Sequence, residues 1–487
     1  MTNLHHDRLY IGGDWVAPAT DARISVISPF TEEELGSTPE GAPADIDAAV
    51  AAARGALNGD WGSTTASERA DVIDRLYALF LERSDDLANL ITAEVGCPLL
   101  FSHFGQVGAT GMALDYFAKL TRSFEFEEVR PGMMGPALVR HEPVGVSAGI
   151  VPWNVPLFIS MLKLAPALAS GSTMVLKPAP ETPLSAYALA ELCADAGVPD
   201  GVVNIVPAGR ETGQHLVTHP DVDKVSFTGS TAAGRKIGAA CGELLRRVTL
   251  ELGGKSAAIV CDDADLDAIM PELIASSTMN NGQACVAQTR ILATRSRYDE
   301  VVEALTEAVA AIPVGDPADM ETGCGPLIAE RQRDRVEGYL QIGRDEGARI
   351  TTGGGRPDGQ DRGWFVEPTV FADVDNSMRI AQEEIFGPVL AVIPVDDTDD
   401  AIRVANDSDY GLSGTVWTGD VEAGLDIARK VRTGTYTVNG FAMEWGAPFG
   451  GFKDSGVGRE LGPEGLAAYL ESKTINLPAG TEPKLAY

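Results

Sequence analysis

Short runs of β-branched residues alternate with helix-period stretches through the middle of this chain. Earlier, within 66–94, Val72, Leu76, Leu79 and Phe80 recur at the spacing of one helix face. From Val144 the rhythm changes. Segments 144–150, 172–176, 202–206, 224–227 and 247–250 read as strands. Between them the pattern predicts helices over 184–195, from Arg210, and over 231–241. Thr182 is the expected N-cap of the first of these, and Pro183 its first helical residue. Strand–helix–strand repetition with short connections predicts an α/β fold with a doubly wound parallel sheet, which binds ligands at the carboxyl ends of its strands.

A second α/β series opens with a strand over 256–261, a long helix to about Asn280 and a strand over 289–293. Glycine-heavy turns follow at Gly353-Gly354-Gly355 and Gly450-Gly451, and 473–477 reads as a strand able to pair with another segment or subunit. No internal repeat or low-complexity tract is present. The expectation is two α/β domains plus a small excursion.

Composition narrows the function. The chain has 487 residues, 44% apolar and 22% charged, enough to bury a sizeable core. Its 38 basic and 70 acidic side chains leave a net charge of −32, which repels phosphate backbones and anionic headgroups and argues against nucleic-acid or membrane-surface partners. The most apolar region, 150–176, is interrupted by Pro152, Pro156, Lys163 and Pro166, so no membrane span is expected there. Six widely spaced cysteines without a CxxC pair argue against a zinc site or a disulfide framework. No signal peptide is read at the start, and a cytoplasmic protein with reduced thiols is expected.

Cys285 stands apart from the other cysteines. Cys193, Cys241 and Cys261 read as small buried hydrophobes, whereas Cys285 lies in Asn281-Gly282-Gln283-Ala284-Cys285, a turn-like setting that leaves the sulfur accessible. A nucleophilic thiolate needs a base or a positive neighbour. None of the six histidines sits in a motif. Glu251 is the better candidate, because it ends the apolar run Val248-Thr249-Leu250 before the tight turn Leu252-Gly253-Gly254-Lys255. A carboxylate there is partly desolvated, which raises its pKa toward that of a general base. Phe227-Thr228-Gly229-Ser230-Thr231-Ala232-Ala233-Gly234 follows a strand and opens a helix, so its free N–H groups and helix dipole suit a phosphate, although GxGxxG is absent. Lys177-Pro178 ends another strand of the same sheet.

Taken together and in order, Val151-Pro152-Trp153-Asn154-Val155-Pro156, Lys177-Pro178, the 227–234 loop, Glu251-Leu252-Gly253-Gly254-Lys255, Gly282-Gln283-Ala284-Cys285, Glu384-Ile385-Phe386-Gly387-Pro388 and Pro448-Phe449-Gly450-Gly451-Phe452-Lys453 closely resemble the NAD(P)-dependent aldehyde dehydrogenase superfamily. The match covers essentially the whole chain, including the spacing of Glu251 and Cys285.

The resemblance implies oxidation of an aldehyde to the carboxylic acid. Cys285 would be the nucleophile, Asn154 and the Cys285 N–H the oxyanion donors, and Glu251 the activator of the hydrolytic water. It carries NAD to Lys177 (adenosine ribose), to Trp153, Gly229 and Ser230 (pyrophosphate), and to Glu384 and Phe386 (nicotinamide ribose and ring). Ile150, Pro152, Phe227 and Leu252 belong to the same set. Pro180 stands where relatives commonly place a carboxylate that rejects the 2′-phosphate of NADP, with Glu181 shifted by one, so NADP stays open. Pro207-Ala208-Gly209 replaces a common glycine pair, leaving Gly209 and Gly213 as the contacts there. No metal is implied. Val155, Phe158, Leu162, Val286, Met443, Trp445 and Phe449 match an apolar funnel for an aliphatic or aromatic aldehyde.

The implied organisation is a dinucleotide-binding domain (1–122 and 143–252), a catalytic domain (253–453) and a small β bridging element (123–142 and 468–487) in a homodimer or homotetramer. The alternatives are a CoA-acylating semialdehyde dehydrogenase, against which Glu251 argues, a cofactor-free thiol esterase, and a binding protein without turnover.

Overall fold

The buried apolar runs between Val146 and Glu251 do form parallel strands, as segments covered on both faces must. The computed structural model describes residues 4–485, so residues 1–3 and 486–487 of the expected domain ranges lie outside the described residues. The larger sheet has eight strands in the order Gly456–Val457, Arg247–Glu251, Lys224–Thr228, Val146–Ile150, Thr173–Lys177, Val203–Ile205, Leu9–Ile11 and Asp14–Val16. The middle five are parallel. The chain leaves the central strand Val146–Ile150 in one direction and later returns to its other side, so the strand order reverses between Val146–Ile150 and Lys224–Thr228. At such a switch point the loops after the two strands splay apart and leave a crevice. Those loops carry Trp153 and Asn154 on one side and Gly229 and Ser230 on the other.

The second series builds a seven-stranded sheet: Arg349–Thr352, Thr369–Ala372, Val389–Val395, Arg290–Thr294, Ala257–Val260, Gly414–Trp417 and Thr437–Val438. Only the first of these runs antiparallel to its neighbour. A three-stranded antiparallel sheet joins Glu127–Arg130, Ala137–Pro143 and Leu470–Asn476, so the terminal strand pairs with another segment of its own chain. A hairpin, Arg23–Ile27 with Glu34–Pro39, completes the β-structure among the described residues.

Two expectations are corrected. Helix Leu184–Asp195 is not capped by Thr182. Pro183 occupies the N-cap position with no side-chain bond, and the free N–H groups of Leu184 and Ser185 donate instead to the carboxylate of Glu94, at 2.5 and 3.2 Å. That carboxylate comes from a helix about ninety residues earlier, where no local signal points to it. The helix expected to reach Asn280 is Leu266–Thr278. Beyond it Asn280 and Asn281 both adopt left-handed backbone (φ +54° and +58°), which ends the helix and turns the chain toward Cys285. The stretch 66–94 is helical as expected, in two helices, Ala66–Glu82 and Ser84–Val95.

Helix Pro156–Ser170 is buried along its whole length. That accounts for its apolar sequence without a membrane; among the described residues no helix is long and apolar enough to cross one.

Candidate active site

A cavity of about 840 Å³ opens at the switch point, between the two large sheets. Asn154, Glu251, Cys285 and Glu384 all line it, with Pro152, Trp153, Gly229, Ser230, Leu252 and Phe386. Ile150 and Phe227 lie just behind, paired in register at the carboxyl ends of their strands, and Ile150 pairs on its other side with Lys177. Lys177, Pro180, Gly209 and Gly213 do not line this cavity. Lys177 and the two glycines cluster farther along the sheet edge, where a Cβ on Gly213 would stand 3.2 Å from Lys177 Cδ.

Cys285 is held by buried amides. Asn281 donates from Nδ2 to the carbonyls of Gly96 and Pro326 (both 2.9 Å) and accepts from Gly325 N at 2.7 Å. Gln283 accepts from Ile328 N at 3.1 Å. The left-handed turn therefore stays in one conformation, with every polar atom of the Asn281 amide paired. Cys285 itself is half-buried, unlike the other five cysteines, which are fully buried; all six are free thiols. Burial raises its pKa to about 12, with the charges of Glu384 and Glu251 adding to the effect.

Glu251 ends the strand Arg247–Glu251, and its carboxylate is buried. Neither oxygen completes a hydrogen bond. Burial raises its pKa well above the usual range, and the nearby charge of Glu460 raises it further. Lys163, Arg459 and the Gly451 N–H oppose that rise. Glu460 is delivered by the strand Gly456–Val457, which pairs antiparallel with Leu250 and Glu251. Only glycine fits at 456, because a Cβ there would stand 2.1 Å from Leu250 O at φ +148°. Behind Glu251, the Lys163 ammonium bonds Glu460 and Thr228 (both 2.8 Å) and Ser226 (3.2 Å), all buried.

Asn154 donates from Nδ2 to Gln283 O at 2.8 Å, while its own carbonyl accepts from Asn280 Nδ2 at 2.9 Å. An amide nitrogen carries two N–H groups, so one remains for the cavity.

The cavity fits a dinucleotide by its donors and its bare backbone. Ser230 caps helix Thr231–Glu243 through Ala233 N, which leaves a helix N-terminus facing the crevice for a phosphate. Glu384 accepts from Gly254 N through one oxygen at 2.9 Å, and a Cβ on Gly253 would come within 2.6 Å of the other. That half-buried carboxylate, its pKa raised by desolvation against the pull of the Gly254 N–H, Arg335 and Lys255, suits a pair of hydroxyl donors. Trp153 and Phe386 meet edge to face, with ring centroids 5.3 Å apart, and form an apolar wall.

The opposite half of the cavity is apolar: Phe158, Leu162, Val286, Phe441, Met443, Trp445 and Phe449 line it. Sequence reasoning missed part of this wall. Phe101, Phe104 and Met112 also line the cavity, from a helical segment widened by a π-helical turn at Ser102–Gly108. It missed the Lys163–Glu460 pair as well. It missed Gln332 and Arg335, which clamp the 384–386 segment through its carbonyls. Nothing local in the sequence marks these groups, because they meet only through packing of distant segments. No histidine lines the cavity.

Residues 15–475 match the profile of the aldehyde dehydrogenase family. The chain is 49% identical to geranial dehydrogenase of Castellaniella defragrans, over 97% of this chain and 99% of that one. It is 43% identical to 3-succinoylsemialdehyde-pyridine dehydrogenase of a Pseudomonas species, over 96% and 97%. Among solved structures, an aldehyde dehydrogenase of Mycobacterium tuberculosis complexed with NAD+ superposes with a TM-score of 0.98 at 52% identity, covering 99% of this chain and 100% of that one. A mutant of aldehyde dehydrogenase C from Pseudomonas syringae, complexed with NAD+ and octanal, gives 0.95 at 40% identity, covering 98% of each.

Proposed function

The chain belongs to the aldehyde dehydrogenase family, and from that premise we propose that its cavity oxidises an apolar aliphatic or aromatic aldehyde to the carboxylic acid with NAD. The observation that carries this reading is the meeting of Cys285, Asn154, Glu251 and Glu384 at the end of one apolar cavity. The similarity to geranial dehydrogenase and to a structure complexed with octanal supports the apolar substrate class.

Cys285 is the nucleophile. Its thiol is protonated at rest, since burial and two carboxylates hold the proton on, so as sulfur bonds the aldehyde carbon the proton passes to the Glu251 carboxylate in the same cavity and from there to solvent. The carbonyl oxygen then bears the negative charge, which the free Asn154 N–H and the Cys285 backbone N–H receive. Glu384 would hold the nicotinamide ribose of NAD and Gly229, Ser230 and Trp153 its pyrophosphate; when bound, that group would supply the hydride acceptor. Loss of hydride leaves an acyl thioester on Cys285. Glu251, which burial and the charge of Glu460 make a stronger base than an ordinary carboxylate, takes a proton from water as that water attacks the thioester carbon. The acid leaves and the sulfur recovers its proton.

The eight-stranded sheet is the dinucleotide-binding unit and the seven-stranded sheet the catalytic one in this proposal. The three-stranded sheet, with Val129, Met133 and Met134 exposed, is the bridging element of a homodimer or homotetramer, which light scattering would measure. Six free thiols support a cytoplasmic setting.

The test is an assay of the purified protein with octanal, benzaldehyde, succinic semialdehyde and betaine aldehyde, each with NAD, following NADH and identifying the product. Octanal or benzaldehyde should give the highest kcat/KM and the free acid. An absence of NADH formation would refute the oxidation, and preference for the charged aldehydes would refute the apolar class.

A further inference from the structure

Lys177 ends its strand with a buried ammonium. Two of its three N–H donors are committed to backbone carbonyls, Ala208 O at 2.7 Å and Pro178 O at 2.9 Å. Burial lowers its pKa to about 8, against the pull of two carboxylates, Glu181 and Glu40. Those two differ in what else they touch. Glu181, the residue shifted by one from the usual carboxylate position, forms an ion pair with Arg331 at 2.5 Å.

Glu40 arrives from the far end of the sequence, just after strand Glu34–Pro39. Its segment is fastened to the turn that follows Ile205: Gly41 N donates to Pro207 O at 2.8 Å, and Thr212 Oγ1 donates to Gly41 O at 3.0 Å. Glu40 Oε1 lies 2.9 Å from the point where a Cβ on Gly209 would stand. The bare backbone of Gly209 therefore lets the carboxylate lie along the turn. The Glu40 carboxylate is half-buried, and among the described residues it has no hydrogen-bond or ion-pair partner of its own.

We propose that Glu40 is the carboxylate that accepts hydrogen bonds from the adenosine ribose hydroxyls and makes this chain select NAD over NADP, in the place that Pro180 leaves without an acceptor. The inference rests on the reading that NAD lies across Lys177. A ribose diol offers two donors to a free carboxylate. A 2′-phosphate offers none and sets its negative charge against that of Glu40, while Lys177 has one donor left to receive it.

The test is calorimetric titration of the full chain with NAD and with NADP, for wild type, Glu40→Gln and Glu40→Arg, with a thermal melt of each variant. Wild type should bind NAD at least about tenfold more tightly than NADP. Glu40→Gln should weaken NAD and tighten NADP, bringing the two within about threefold, and Glu40→Arg should reverse the order. Added salt should improve NADP binding to wild type and not to Glu40→Gln, because only the former involves repulsion between like charges. Variants that melt like wild type and keep its NAD-to-NADP ratio would overturn the role of Glu40 while leaving the oxidation of aldehydes with NAD standing. Arg210, the residue after Gly209, is a cation that could grip a phosphate, so tighter binding of NADP than NAD to wild type would also overturn it. A wild type that binds neither nucleotide would overturn the functional reading itself.

Discussion

The Asn154 side chain donates to the main-chain carbonyl of Gln283 at 2.8 Å, which ties the proposed oxyanion donor to the segment carrying the proposed nucleophile. The tie fixes where one Asn154 N–H points and so where the other can go. Asn154→Ala should lower kcat about 10²- to 10³-fold with little change in NAD affinity. Cys285→Ala should abolish NADH formation and still bind NAD by calorimetry. Residual oxidation above about one part in 10³ in the second variant would refute the covalent route.

Glu251 owes part of its raised pKa to the charge of Glu460. Removing a negative neighbour lets a carboxyl lose its proton more easily, so Glu460→Gln should move the acid limb of the kcat–pH profile to lower pH. Glu251→Gln should retain a burst of about one NADH per site and lose steady-state turnover about 10²-fold or more. A profile shifted to higher pH in Glu460→Gln would contradict this electrostatic account.

Phe104 is 71% exposed at the cavity mouth, with Met112 beside the same opening. An apolar side chain left in water there can cover a substrate tail, at roughly 0.8 kcal/mol per methylene buried. Phe104→Ala should raise KM for octanal or decanal about tenfold and leave propanal within twofold, with kcat unchanged. Equal effects on short and long aldehydes would show that Phe104 supports the fold and not the tail.

Glu94 is fully buried, and its pKa is raised to about 8 by that burial, against the hydrogen bonds from Leu184 and Ser185. A folded pKa above the unfolded one means that the folded state holds the proton longer. The stabilisation is complete below the ordinary carboxyl pKa near 4.5 and is lost as pH rises toward 8. Glu94→Gln, which cannot ionise, should lose this term. Its Tm should fall less than that of wild type between pH 5 and pH 8, by a few degrees. Parallel Tm curves would show that Glu94 keeps one protonation state throughout.

Several features of this protein follow from the chain alone. The two α/β series are legible because a parallel strand covered on both faces must be an unbroken apolar run, as at 146–150 and 173–177, and because an intervening helix repeats its own period. Cys285 and Glu251 stood out as candidates because glycines and amides beside a reactive group are a local signature.

Other features required the packed molecule. The Lys163–Glu460 pair, the Glu94 cap and the Asn281 clamp join segments 44 to 297 residues apart, and Glu40 reaches the turn at Gly209 from another distant segment. Their chemistry depends on burial and on distances of about 3 Å. Order along the chain carries neither quantity, since desolvation and charge coupling exist only once distant segments have excluded water from between them.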